Sequence, residues 1–179
     1  GGELPPTYIK QHLTPFGEYI PLRSLAALIS PYTDRVIDFE PGQAQVLFKV
    51  KDAVIAPIIC FELVDDQLLV EAARSSNILA VQTNSATFGM SAESAQQLSI
   101  TRVRAIEHGR NIVSVSTTGI SAVIDYQGKV LQQTSMGTAD TIRAEVDLLR
   151  GQTPRDKAGD WALVGTLFVL LLVARRAYI

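Results

Sequence analysis

Residues 56–62 read APIICFE, and this short stretch decides how the rest of the chain can be interpreted. An apolar run leads directly into Cys60, and a helical pattern begins at Asp65. A residue at such a strand-to-helix elbow lies at the edge of a sheet, near N–H groups whose dipole favours a thiolate and can receive an oxyanion. Cys60 is therefore a candidate nucleophile, with a small buried hydrophobic residue as the alternative interpretation.

The segments around this elbow alternate between strand and helix patterns. Runs of β-branched and apolar residues predict strands at 46–50, 54–59, Ile78–Thr83, Ile112–Ser116, Ala122–Ile124, Val130–Gln133 and 141–146. Helical periodicity predicts helices at 65–75 and 96–108, the second capped by Ser91 and ended by Gly109. This mixture predicts an α/β sandwich or a layered α+β fold.

Composition narrows the class of protein. The 179 residues suit about one domain with a buried core, and a formal net charge of −2 lacks the basic character typical of nucleic-acid binders. Cys60 is the only cysteine in the sequence, which excludes an intrachain disulfide and a multi-cysteine metal site. We therefore expect a globular domain with no nucleic-acid partner.

The C-terminal end has a different composition. Residues 161–174 read WALVGTLFVLLLVA, without a charge, and are followed at once by Arg175 and Arg176. The run is apolar on every side, Trp161 and Tyr178 flank it as interfacial aromatics do, and the arginines can reach the membrane surface. These features favour a helix that crosses a membrane over a helix docked on the core, although the run is short for a span.

This interpretation predicts a domain at 1–150, a linker at 151–160 and a transmembrane helix at 161–176. The positive-inside rule then places the C-terminus in the cytoplasm and the domain outside it. Residues 1–7 show no signal-peptide pattern. We therefore expect the targeting signal upstream, in a longer protein of which this chain is the C-terminal part.

A nucleophilic cysteine needs a base and an electrostatic stabiliser. The sequence contains two histidines that are candidates for the base. His108 is expected near a helix C-terminus, where the dipole favours the protonated ring and makes it a poorer base. His12 follows Lys10 in a predicted loop and stays open as a base.

Two glutamates are further candidates for the groups that assist the cysteine. Glu62 is two residues from Cys60, and Glu18 lies in a loop whose glycine and prolines restrict the backbone. A glutamate so placed is either a solvated turn residue or a positioned site group. Lys10 by itself has the character of a surface lysine.

These residues, taken in chain order, resemble one family. Residues 8–21, YIKQHLTPFGEYIP, resemble the lysine segment of the apolipoprotein N-acyltransferases, the membrane branch of the nitrilase superfamily. Further similarities to this family are ICFE at 59–62 (the nucleophile motif), TNSATFG at 83–89 (the next loop), RVRAIEHGR at 102–110 (a helix) and TGISAVID at 118–125 (a strand pair). Five matches in order over nearly the whole chain argue against chance similarity.

The resemblance implies part of an αββα nitrilase-like sandwich, on the extracytoplasmic side of a bacterial cell membrane, with a last membrane helix at the C-terminus. It also implies a Glu–Lys–Cys triad. Such a triad moves a fatty acyl group from a phospholipid, through a cysteine thioester, to the N-terminal amine of a diacylglyceryl apolipoprotein, without metal or other cofactor.

The same resemblance assigns roles to residues of this chain. Cys60 is the implied nucleophile and Lys10 the cation that stabilises the oxyanion. The supporting acids are Glu18 and Glu62, and the substrate-binding residues are Phe61, Asn84 and Phe88. The family's general-base glutamate lies upstream of its lysine, and Glu3 belongs to a stretch that does not match, so we expect the base to lie outside these 179 residues.

Three departures from the family pattern leave other functions open. Phe61 replaces a tyrosine, while Ser85 and Thr87 replace an aspartate and a tryptophan. These changes fit an altered lipid preference or a weakened or inactive homologue. The alternatives are a soluble nitrilase-type amidase or carbamoylase, and a membrane scaffold of the same fold without catalytic activity.

Overall fold

The structure is a computed structural model that describes residues 6–29, 33, 36–159 and 161–177. Within these ranges six strands form one sheet in the order of the chain: β1 (Phe48–Val50), β2 (Ala53–Ile59), β3 (Ile78–Thr83), β4 (Ile112–Ser116), β5 (Ala122–Ile124) and β6 (Val130–Gln133). The helices are α1 (Arg23–Ile29), α2 (Asp66–Ser75), α3 (Glu93–His108), α4 (Pro154–Ala158) and α5 (Trp161–Ala177).

The sheet is mixed, with a parallel centre. Strands β2, β3 and β4 run parallel, whereas β1, β5 and β6 pair antiparallel with their neighbours. Helix α2 connects β2 to β3, and α3 connects β3 to β4. Because the central strands are parallel, their carboxyl ends meet at one edge of the sheet, and Cys60 directly follows β2 at that edge.

The core lies between the sheet and helices α2 and α3. Its fully buried side chains include Ile58, Leu79, Val81 and Ile112 from the central strands, together with Leu69 and Ala72 of α2 and Ala105 of α3. Strands buried on both faces explain the nearly continuous apolar runs of β2 and β3. The Asp65 side chain caps α2 by accepting a hydrogen bond from the N–H of Leu68 at 3.0 Å.

Most predicted elements form, but two of them differ, and one expected sheet is not among the described residues. Helix α3 begins at Glu93, with Ala92 as its N-cap, although the Ser91 hydroxyl accepts from the Glu93 N–H at 3.3 Å. The predicted strand at 141–146 is wrong, because the Arg143 N–H donates to the side chain of Gln132 in place of a backbone carbonyl. The described residues form one sheet, so the second sheet of the implied sandwich is not among them.

The C-terminal helix is the element that we expected to cross a membrane. Helix α5 has 17 residues, a length of about 25 Å against a membrane core of about 30 Å. In the part of the chain that the structure describes, no helix combines the length and apolarity that crossing a membrane requires. The described apolar side chains of α5 are exposed, so the alternative of a helix docked on the core is wrong. Glu3 and Tyr178 lie outside the described residues.

Candidate active site

Cys60 occupies a strained backbone position at the end of β2. Its φ angle is +52°, in the left-handed region, and it begins a short 3-10 segment, Cys60–Val64. A non-glycine residue in this region costs about 1–2 kcal/mol, so the surrounding structure must hold it there. The thiol is partly buried. The predicted strand-to-helix elbow is therefore confirmed, and its sharp turn displays the sulfur at the sheet edge.

The electrostatic environment of the thiol differs from the expectation. Burial raises the pKa of Cys60, the Lys10 charge and the N–H of Phe61 lower it, and Glu18 and Glu93 raise it. The net effect is a pKa above the ordinary value, so the predicted preference for a thiolate is wrong. Cys60 is itself the first residue of a 3-10 segment of only five residues, and burial is the largest influence on its pKa.

Lys10 is buried and held by an ion pair. Its Nζ lies 2.6 Å from Oε2 of Glu18 and donates to Oγ1 of Thr14 at 3.0 Å. The Thr14 N–H donates to the same Glu18 oxygen at 2.7 Å. Burial raises the pKa of Glu18, but these hydrogen bonds outweigh it and hold the pKa below its usual value. Lys10 is thus not a surface lysine, and Glu18 is not a solvated turn residue.

Glu62 is completely buried and accepts four hydrogen bonds. Its Oε1 accepts from the Tyr8 hydroxyl at 2.9 Å and from the N–H groups of Gln11 and His12 at 2.6 and 3.3 Å. Its Oε2 accepts from the Ile59 N–H at 2.7 Å.

Glu62 therefore joins two parts of the site. Residues 8–12, which carry Lys10, are bound to one carboxylate oxygen, and the last residue of β2 before Cys60 is bound to the other. Burial and the neighbouring Glu62 carboxylate raise the pKa of Tyr8 and keep its hydroxyl protonated as a donor. The hydrogen bonds of Glu62 thus fix the position of the Lys10 segment relative to the thiol.

The two histidines lie in different places. His12 Nδ1 is 2.6 Å from Oδ2 of Asp65, and its ring makes a T-shaped contact with Phe61 at a centroid distance of 5.4 Å. His108 is buried at the C-terminal end of α3, where Nδ1 pairs with Asp156 at 2.7 Å. His12 therefore lies beside the elbow with one nitrogen engaged, whereas His108 serves the packing of α3.

The loop after β3 lies at the same sheet edge but contacts other partners. Asn84 Oδ1 accepts from the Ala86 N–H and the Thr117 hydroxyl at 3.1 and 3.0 Å, and Phe88 is half-exposed. Ser85 is buried, with its hydroxyl 2.9 Å from that of Ser116. The structure thus brings Lys10, Glu18, Glu62 and Phe61 around Cys60, and it leaves Asn84 and Phe88 on a neighbouring loop.

An open cavity of about 710 Å³ lies beside the Lys10 segment. Its lining includes His12, Tyr19, Phe39 and Asp65, but not Cys60. Within the described ranges, no three or more histidine, cysteine or acidic side chains come together in a way that could hold a metal ion.

The sequence did not identify Tyr8, Thr14 or Glu93 as members of the site. Tyr8 is 54 residues from its partner Glu62, so no local spacing reveals the contact. Thr14 has a partner four residues away, in a loop without a periodic pattern. Glu93 is in the first turn of α3, where a glutamate is common in any helix.

Comparison with known proteins gives the family. Residues 1–155 match the carbon-nitrogen hydrolase family. Apolipoprotein N-acyltransferases from Pseudomonas paraeruginosa and Azotobacter vinelandii are 37% and 35% identical, over 97% and 98% of this chain but only 34% and 35% of their own lengths. The chain therefore spans about a third of the length of the curated relatives it matches.

A solved structure supports the same fold. The NitN amidase from Nesterenkonia sp. AN1 superposes with a TM-score of 0.52, at 16% identity, over 72% of this chain and 47% of that one. At this identity the likeness concerns the fold alone, and it confirms the nitrilase-like α/β class. From the fold and the family match together, this chain belongs to the carbon-nitrogen hydrolase family.

Proposed function

We propose that the whole protein is an apolipoprotein N-acyltransferase that moves a fatty acyl group from a phospholipid to the N-terminal amine of a diacylglyceryl apolipoprotein. The observation that carries the proposal is the strained Cys60 elbow under the charge of the buried Lys10. The relatives, which carry that name, supply the substrate class.

In the first half-reaction a base takes the proton of Cys60, and the sulfur attacks the carbonyl carbon of a phospholipid ester. The Lys10 ammonium and the N–H of Phe61 stabilise the oxyanion. The C–O bond then breaks, the lysophospholipid leaves with a proton, and a thioester remains on Cys60.

The described residues place no general base of the triad at the Cys60 thiol. Among them, no carboxylate or imidazole forms a hydrogen bond with the Cys60 sulfur. Because burial raises the pKa of Cys60, the thiol is protonated at neutral pH and needs a base. We assign this role to a glutamate upstream of Lys10, as the resemblance implies.

In the second half-reaction the amine of the apolipoprotein attacks the thioester carbonyl. A C–N bond forms, the C–S bond breaks, and Cys60 regains a proton. Glu18 and Glu62 act as positioning residues, the first by orienting Lys10 and the second by fixing the Lys10 segment to the elbow. We place the acyl chain between Phe61 at the elbow and the neighbouring loop that carries Asn84 and Phe88, as the resemblance implies.

The location at a cell membrane is also part of the proposal. The exposed apolar side chains of α5, among them Leu167, Phe168 and Leu171, give the chain a surface suited to lipid. The family resemblance, and not the described length of α5, carries the proposed orientation, with the catalytic domain on the extracytoplasmic side and Arg175 and Arg176 at the cytoplasmic end.

Acyl-enzyme trapping tests the proposed function. The full-length protein is incubated with a phospholipid that carries a labelled acyl chain, and the mass of the Cys60 peptide is measured. We expect the labelled acyl group on Cys60 in the wild type and none in Cys60→Ala. Turnover without acylated Cys60 would contradict the mechanism, and release of ammonia from small amides without acyl transfer would favour the amidase alternative.

A further inference from the structure

A small cavity lies at the edge of the sheet opposite Cys60. Val54, near the start of β2, Asn77, directly before β3, and Arg110, shortly before β4, all line it. These residues mark the amino ends of the three parallel strands, whereas Cys60 follows the carboxyl end of β2. Because an extended strand rises about 3.3 Å per residue, the length of β2 separates Val54 from Cys60 by about 20 Å. The cavity is therefore distinct from the candidate active site.

Three arginines line this cavity, which we call the arginine cavity. Arg74 is in the last turn of α2, Arg110 lies between α3 and β4, and Arg150 comes shortly before α4. The other lining residues that the structure describes are uncharged: Val54, Ser75, Ser76, Asn77 and Gly151. In a chain with a formal net charge of −2, the arginine cavity is a local concentration of positive charge.

Arg110 is buried, and backbone carbonyls hold its guanidinium group. Nη2 donates to the carbonyls of Ala73 and Gly151 at 2.6 and 2.7 Å, and Nη1 donates to the carbonyl of Gly109 at 3.1 Å. Ala73 and Gly109 are at the C-terminal ends of α2 and α3, where the helix dipole is negative and would repel an anion. Arg110 therefore neutralises both helix ends beside the cavity.

Arg74 and Arg150 are exposed and carry no counterion. Neither forms an ion pair with an acid in the part of the chain that the structure describes. Arg74 also lines a second cavity together with Asp66 and Glu71, but it is paired with neither of them. Like charges that line one cavity repel each other, and an anion bound between them removes this repulsion.

We propose that the arginine cavity binds a phosphate group. A guanidinium group presents paired N–H donors that match two phosphate oxygens, and Arg74 and Arg150 have these donors available. Arg110 contributes its charge from the buried side of the cavity. The volume of about 160 Å³ is below the range of about 300–1,000 Å³ for sites of drug-sized ligands, so the cavity suits a small group.

A phosphate group reaches a protein in two forms, as a phospholipid headgroup and as a free ion. Gly151 of the cavity is ten residues before Trp161, where the lipid-facing α5 begins, and ten residues span at most about 35 Å. The Thr153 hydroxyl between them donates to the Glu107 carbonyl of α3 at 2.6 Å and holds this segment against the domain. A chain attached to lipid through α5 therefore keeps the cavity within reach of headgroups. The inference goes beyond acyl transfer and does not depend on it.

Calorimetric titration of the full-length protein in detergent with inorganic phosphate tests the site. In Arg74→Gln and in Arg150→Gln we expect the dissociation constant to rise about tenfold, the loss expected for one charged hydrogen bond. The matched control, Arg143→Gln, removes an exposed arginine outside the cavity and should bind phosphate like the wild type. Acetate, an anion without the tetrahedral set of oxygens, should bind more weakly than phosphate.

Vesicle flotation distinguishes the two sources of phosphate. One preparation is phosphatidylcholine alone, and the other contains equal amounts of phosphatidylcholine and phosphatidic acid, whose headgroup is a phosphate monoester. If a headgroup occupies the cavity, phosphatidic acid should increase the binding of the wild type and of Arg143→Gln more than that of the double variant Arg74→Gln/Arg150→Gln. If the free ion is the ligand, phosphatidic acid should affect all three proteins equally, and only calorimetry should separate them.

Two results would overturn the inference. The first is no difference between the wild type and the Arg74 and Arg150 variants, both in phosphate affinity and in the response to phosphatidic acid. The second is a loss in Arg143→Gln as large as in the other variants, or acetate binding as tight as phosphate, since either shows a general effect of charge. Neither measurement uses turnover, so a failure of the proposed function would leave this inference standing.

Discussion

The reactivity of Cys60 depends on Lys10, because the Lys10 ammonium is the first of the influences that oppose the effect of burial on the thiol. We expect Lys10→Met to raise the pKa of Cys60 further, since the charge that stabilises the thiolate is lost while the Glu18 carboxylate remains. The pH dependence of iodoacetamide alkylation measures this change. Its midpoint should move to higher pH in Lys10→Met and stay in place in Lys49→Met, which removes an exposed lysine. An unchanged or lower midpoint in Lys10→Met would contradict the electrostatic influence of Lys10 on the Cys60 thiol.

Glu62 should contribute more to stability than an ordinary glutamate. In Glu62→Gln one oxygen becomes an NH2 group that faces N–H or O–H donors, so at least one buried donor loses its acceptor. We expect the free energy of unfolding to fall by about 3 kcal/mol. Urea denaturation measures the loss, and Glu71→Gln, on the exposed face of α2, should change stability by no more than about 0.5 kcal/mol. Similar values for the two variants would show that the four hydrogen bonds contribute little.

Glu18 predicts a pH dependence of stability. Its pKa in the folded protein is lowered, because hydrogen bonds from Lys10 and Thr14 outweigh the effect of burial. A lowered pKa stabilises the folded state above the usual value of 4.5, and this contribution disappears as the pH falls through the folded pKa. The difference in unfolding free energy between wild type and Glu18→Gln should therefore be constant near neutral pH and shrink below that value. A difference that does not depend on pH would contradict the ion pair.

At the level of single residues, the sequence predicts part of the site. Cys60 follows from the strand-to-helix elbow, and Lys10, Glu18 and Glu62 follow from the family resemblance. The raised pKa of Cys60 does not follow, because it depends on how deeply the thiol is buried in the folded chain.

Among the elements, the strands of the central sheet were the most predictable. Strands β2, β3 and β4 are short segments rich in β-branched and apolar residues, and their ranges agree closely with the prediction. The segment 141–146 alternates apolar and polar residues as a strand does, but it forms no strand, and a residue pattern cannot show whether a neighbouring edge is free to pair. Helix α1 and its neighbouring loops carry no comparable pattern.

Gly42 gives a test of how one loop positions another. Its N–H donates to the Lys10 carbonyl at 2.8 Å, and a methyl group at residue 42 would overlap the carbonyl oxygen of Ile9. Gly42→Ala should therefore displace the Lys10 segment and lower the rate of acyl-enzyme formation by about a hundredfold, as a displacement of about 1 Å can. Gly165→Ala, where a methyl group meets nothing within 4 Å, is the control. A normal rate in Gly42→Ala would mean that the segment relaxes without moving Lys10.

For the whole molecule, the sheet and α5 face different environments. The sheet buries its apolar residues against α2 and α3, whereas α5 leaves large apolar side chains exposed along its length. The sequence predicts the apolar character of α5, but not its relation to a bilayer, which depends on length, tilt and neighbouring segments.

Lipid contact through α5 is testable on the 179-residue chain with phospholipid vesicles. Phe168 and Leu171 are 62% and 69% exposed, and a large apolar side chain gains about 1.5–3 kcal/mol when fully buried. Changing both to serine should weaken vesicle binding by about a hundredfold, measured by flotation. The matched control replaces Leu25 and Leu28 of α1, 55% and 83% exposed, and should float like the wild type. If both variants lose binding equally, exposed apolar area in general, and not α5, attaches the chain to lipid.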